Sequence, residues 1–263
     1  MKNNIALVNR IFATSRFGLV LAGLLVLAIA RSSSAGPAPE ILPPSSLPYG
    51  YSYEEWSAKF WQWTLGQSTN HLESLGDPDI CYGPASRVRF LGPSRIGGEA
   101  IHIETNHVTV PAETPLFFSV FALWQDNGNC PLTAFTTFTA DQLAGFDEAN
   151  WSAVTETTCT IDGVAVSGMD DPTNSVYNVI SPPFSYTTAD HDNILAGELG
   201  ATCLPGDFTI YPAVAEGMYV ILAPLSPGKH TIHAVAVVGP LSAPFALSDK
   251  TFEITVLPFG VFE

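Results

Sequence analysis

The hydrophobic pattern changes period twice along this chain. An unbroken apolar run, Phe17 to Ala30, is followed after residue 50 by helical spacing, and from Arg87 onward by short apolar or alternating runs. In residues 52–63, SYEEWSAKFWQW, the rings Tyr53, Trp56, Phe60 and Trp63 recur at spacings of three, four and three and share one helix face. Ser52 is placed as the N-cap, Glu55 completes a capping box, and Tyr51 and Trp56 flank the first turn as a hydrophobic staple. Gly66 predicts a left-handed stop. Carboxylates beside tryptophan raise the question of an acid held in an apolar pocket, where a carboxyl pKa rises. Glu54 and Glu55, however, lie in the first turn, where the helix dipole favours their charged form. Glu55 is also one turn from Lys59. The stretch therefore reads as an amphipathic helix against a core.

The runs RVRFL, AIHIE, HVTV and LFFSVFALW, separated by Gly, Pro and Asn, read as strands. TADQ is a second capping box (Thr139 with Gln142) that opens a short helix with Leu143, Phe146 and Trp151 as its apolar positions, although Gly145 weakens it. CTIDGVAV reads as a hairpin turning at Asp162-Gly163. VYNVI, GMYVILAPL, HTIHAVAVV and KTFEITVL complete the set, and residues 181–216 read as a long polar excursion. Many short strands with turns between them predict a mainly β fold. The expected architecture is a β-sandwich, jelly-roll or immunoglobulin-like, with an N-terminal amphipathic helix and a second short helix.

The amino-terminal segment places this domain outside the cytoplasm. Lys2, Arg10 and Arg16 precede the apolar run, and Ser33 and Ala35 offer small residues for cleavage, so residues 1–35 read as a signal peptide. The 14-residue run is shorter than the about 20 residues a bilayer span requires. Residues 36–50, GPAPEILPPSSLPYG, form a proline-rich leader, and 51–263 a single β-rich domain. The expectation is a secreted or periplasmic protein with no membrane insertion after cleavage. All 25 acids but only six bases lie beyond residue 35, a formal charge of −19. Such a surface repels nucleic acid and anionic membranes. Cys81, Cys130, Cys159 and Cys203 read as two disulfides in an exported chain. Of the three pairings possible, Cys81–Cys130 with Cys159–Cys203 is favoured because it staples consecutive segments; it closes loops of roughly 45 to 50 residues, each worth on the order of 3–4 kcal/mol.

The chain contains no G-x-S-x-G, HExxH or phosphate loop. Two constellations stand as candidate sites. Trp124, Asp126 and Asn127 end an apolar strand in an amide-rich loop, and Tyr82 lies in another loop; rings beside Asp and Asn at strand ends suit sugar faces and hydroxyls. His102, Glu104, His107 and His230 have the residue types of a cupin-like metal centre, and His102 and Glu104 point the same way on an alternating strand. The H-x-H pair usual in cupins is missing. The acidic loops at Asp77 and Asp79, at Asp170 and Asp171, and at Asp190 and Asp192 suit Ca2+. No resident cofactor is predicted, and a divalent metal or Ca2+ is the alternative.

EWSAKFWQW, TIDGVAV and APLSPGKHTIHAVAV together resemble a group of secreted bacterial proteins with an N-terminal EWxxxxWxW aromatic helix. The resemblance spans most of residues 50–257. It implies an exported, disulfide-bearing β-rich domain and carries no established active site. The expected role is extracytoplasmic binding of a glycan or cell-envelope component without catalysis. A cupin-like metal-dependent enzyme is the alternative, and a structural or matrix protein the third reading.

Overall fold

The computed structural model describes residues 39–69, 88–92, 96, 100–128, 137–242 and 244–260. By its internal contacts the chain divides into Met1–Ala35 and Gly36–Glu263, and all the described residues belong to the second unit. The fold is mainly β, and the described residues form two five-stranded sheets. Sheet one runs β1 (Arg89–Leu91), β3 (Leu116–Asp126), β8 (Thr209–Leu222) and β6 (Asn178–Ile180), with β7 (Phe184–Thr187) also on β8. Sheet two runs β2 (Ile101–Pro111), β10 (Ala246–Leu257), β9 (Gly228–Val238), β4 (Val154–Ile161) and β5 (Val164–Ala165). Most pairs are antiparallel, but β1–β3 and β2–β10 are parallel.

Sheet one is buried on both faces. Phe118, Val120, Met218 and Val220 pack with Ile232, Phe252 and Ile254 of sheet two, while Phe117, Tyr219 and Ile221 pack with the helix α1 (Tyr53–Leu65). A strand buried on both sides has no need of a polar face, which explains the continuous apolar run LFFSVFALW. The bulge between Ser119 and Phe121 interrupts the β3–β8 ladder. Next to it, Lys250 reaches across the sandwich and donates from Nζ to the Ser119 carbonyl at 2.8 Å. Burial holds its ammonium down at about 8.

The start of α1 forms as its sequence dictates. Ser52 Oγ accepts from the Glu55 amide, Glu55 Oε2 accepts from the Ser52 amide at 2.8 Å, and the Tyr51 and Trp56 rings meet edge-on at 5.3 Å. Lys59 lies over the Tyr51 ring at 4.1 Å, a cation–π contact. Gly66 is right-handed (φ −81°), not left-handed; a Cβ there would crowd the carbonyls of Gln62 and Thr187, so a close approach to β7 requires the glycine. The second helix, α2 (Ala140–Trp151), carries the Thr139–Gln142 box as expected. Asp162 and Gly163 turn the β4–β5 hairpin at φ 52° and 77°. Residues 181–216 are more ordered than their polarity suggests, holding β7, the helix α3 (Ile194–Leu199) and the first half of β8.

Cys159 is a free, buried thiol pushed up to about 12 by burial, so the expected Cys159–Cys203 bridge does not form. Its place on β4 turns it into the sandwich core. Cys203 is disulfide-bonded. Cys81 and Cys130 lie outside the described residues, as do residues 1–35, expected as a signal peptide, and the first three residues of the leader, 36–38. Among the described residues no helix is long and apolar enough to cross a membrane.

Candidate functional site at the end of sheet one

Trp124 and Asp126 meet where β3 ends. The Trp124 indole donates from Nε1 to Asp126 Oδ2 at 3.0 Å, and the Tyr186 hydroxyl donates to the same oxygen at 2.6 Å. The Gly128 amide donates to Asp126 Oδ1 at 2.7 Å. Behind Trp124 lies Trp61 of α1, its ring 4.7 Å away and tilted by 34°, with its own Nε1 donating to the Tyr219 hydroxyl at 2.8 Å. Trp124 is only partly buried, so the indole pair is a fixed ring surface at the margin of the core. Burial, with the Asp126 charge second, raises the Tyr186 phenol above its usual range, so it stays a donor. Asn127 does other work: its amide donates to the Phe138 carbonyl at 3.0 Å and accepts from the Phe138 amide at 2.9 Å, tying the strand end to the approach to α2. Tyr211, 65% exposed, lies on β8 two residues before Ala213, the register partner of Asp126. Tyr82 lies outside the described residues.

The opposite face of this end of sheet one holds a pair of buried acids. Alternation along β8 sets Glu216 on the side of Met218 and Val220, away from Tyr219. There α2 covers the sheet, presenting Leu143, Asp147 and Trp151 at intervals of four. Asp147 is 0% exposed and Glu216 is 3% exposed. Burial first, then the charges of Glu216 and Asp126, push the Asp147 carboxyl up to about 8, against the opposing Gln125 amide. Burial and the Glu148 charge raise Glu216 as well, although Asn178 donates from Nδ2 to Glu216 Oε1 at 3.0 Å.

The sequence reading missed both acids, and a signal for each was present. Of the apolar positions expected on α2, Phe146 is 42% exposed and stacks edge-on with Phe138, while Asp147 takes the inward place between Leu143 and Trp151. Glu216 interrupts the apolar string AVAEGMYVIL, an unusual place for a charge unless it has a function.

The four residues expected as a metal centre are split by the strand geometry. His102 and Glu104 point inward from β2, 3.2 Å apart. His107 points outward from the same strand to Glu253 at 3.2 Å. His230 sits at the entry to β9, its Nδ1 2.7 Å from Asp162 Oδ2 and its Nε2 2.8 Å from the Ser226 carbonyl. His107 and His230 border one shallow depression on the outer face, but opposite faces of β2 prevent one ion from taking all four side chains. Ser226, His230 and Asp162 also resemble a nucleophile set. The nearest partner of Nε2 is the carbonyl, however, with Ser226 Oγ at 3.5 Å, so the ring clasps the turn instead of activating the hydroxyl. Of the acidic loops, Asp171 accepts from the Thr173 and Asn174 amides and the Asn174 side chain, which hold its carboxyl below its ordinary value. Among the described residues no group of three or more His, Cys, Asp or Glu side chains is gathered for a metal. Asp77 and Asp79 lie outside them.

No family model matches the chain. No curated protein matches it. Among solved structures it is similar to PbICP-C in complex with falcipain-2, at 13% identity over 65% of this chain and 98% of that one, with a TM-score of 0.25. It is also similar to the cysteine protease inhibitor EhICP2 from Entamoeba histolytica, at 12% identity over 59% of this chain and 95% of that one, with a TM-score of 0.21. Likenesses this slight carry no argument.

Proposed function

We propose that this chain is an exported, extracytoplasmic binding protein for a glycan or a carbohydrate of the cell envelope, and that it binds without catalysis. One observation carries the reading: a rigid indole pair, Trp61 and Trp124, at the open end of β3, with Asp126 fixing the outer ring. A sugar presents an apolar face that stacks on such a ring, and a ring already locked in place loses little entropy on binding. Exposed Tyr211 on the same end of β8 offers a second surface. The charge of −19 beyond residue 35 disfavours polyanions and favours neutral saccharides. The separation of His102 and Glu104 from His107 argues against the metal-dependent alternative.

A glycan array followed by calorimetry on the best neutral ligand tests the proposal. Trp124→Ala is expected to weaken binding at least tenfold. Tyr211→Ala, a change at an exposed position that leaves the core intact, is expected to weaken it severalfold. No saccharide bound by the wild type, or unchanged affinity in both variants, overturns the reading.

A further inference from the structure

Under α2, four buried acceptor oxygens have no donor in hydrogen-bonding geometry, the Gln125 amide being the group that approaches Asp147. They are both carboxylate oxygens of Asp147, Oε2 of Glu216 and Oδ1 of Asn178. Native structures leave few buried polar atoms unpartnered, and such groups often mark an ion or ordered water. All four orphans are acceptors, and they come from adjacent elements. Ile180 of β6 pairs with Glu216 of β8, and α2 packs across β8. Because Asn178 Nδ2 is committed to Glu216 Oε1, its Oδ1 is left as the free end of that amide. Two desolvated carboxylates side by side are relieved either by a proton or by a cation between them, and among the described residues no lysine or arginine bonds either one.

We propose that Asp147, Glu216 and Asn178 form a binding site for one divalent cation of the hard, oxygen-seeking class, calcium in the first instance. The donor set contains oxygen only, with neither sulfur nor imidazole, which selects against zinc and copper. Three side chains supply up to four oxygens, and water completes the shell. The groups that bear on Asp147 are Glu216 from β8 and Gln125 and Asp126 from β3, while Glu148 of α2 bears on Glu216. Among these Asp126 is already engaged by three donors, which leaves Glu216 as the acid that shares the ion.

The test is calcium titration of the chelator-stripped protein by calorimetry and thermal melting. The expected result is one calcium per chain and a higher Tm. Asp147→Asn and Glu216→Gln are expected to abolish the Tm response. Asp147→Asn replaces a buried, titratable carboxyl with a neutral amide of the same shape and so melts no lower than the wild type in chelator, which separates loss of the ion from loss of the fold. Asp171→Asn, in an exposed loop, keeps the response. Absence of stoichiometric calcium in the wild type, or a response retained in both Asp147→Asn and Glu216→Gln, overturns the proposal.

Discussion

Asp147 occupies a place on α2 that an apolar side chain would fill at no cost in charge. Because its carboxyl is pushed up to about 8, the folded metal-free chain keeps a proton that the unfolded chain loses near the ordinary value of 3.8. Between those values the native state binds more protons than the unfolded state, so stability falls as pH rises, and above about 8 the loss is complete. In chelator at pH 7, Asp147→Asn is therefore expected to raise stability by ~2–4 kcal/mol, and to flatten the decline between about pH 5 and about pH 8. Denaturant unfolding at several pH values measures both effects. A wild type that gains stability over this range contradicts the burial argument.

At the scale of elements, β3 and β8 form the spine on which both candidate sites are built. Gly217 of β8 pairs with Ala122 of β3, and a Cβ added there would lie 2.5 Å from that of Ala122. This glycine adjoins Glu216 and pairs with Val179 of β6, so displacing it shifts the acid as well. Gly217→Ala is expected to cost ~2 kcal/mol or more through overpacking. It should also weaken calcium binding, both effects being read by melting with and without the ion. The helices were more legible than this spine. Ser52 with Glu55 and Thr139 with Gln142 specify their own ends because capping is decided within one turn. The inward face of α2 was not legible, since Phe146 and Asp147 are adjacent and only the neighbouring sheet decides which turns in.

For the whole molecule, the net charge sets a continuous cost. Six bases against 25 acids beyond residue 35 make the compact state repel itself, and Lys250, one of the six, is spent inside the sandwich. Raising sodium chloride from about 20 to about 200 mM is expected to raise Tm by a few degrees through screening. Melting in sodium chloride with chelator present isolates that effect from the ion site.

The sequence by itself determined the β-rich class, the two capped helices and the Asp162-Gly163 hairpin. Each rests on periodicity or on residues a few positions apart, where local sterics and hydrogen bonds suffice. Tertiary structure alone decided that sheet one is buried on both faces, that Cys159 stays a thiol, and that Asp147 of α2 meets Glu216 of β8. Those outcomes depend on which distant segments pack together. A side chain's charge, partner and exposure follow from that packing, because burial removes the water that would otherwise satisfy it.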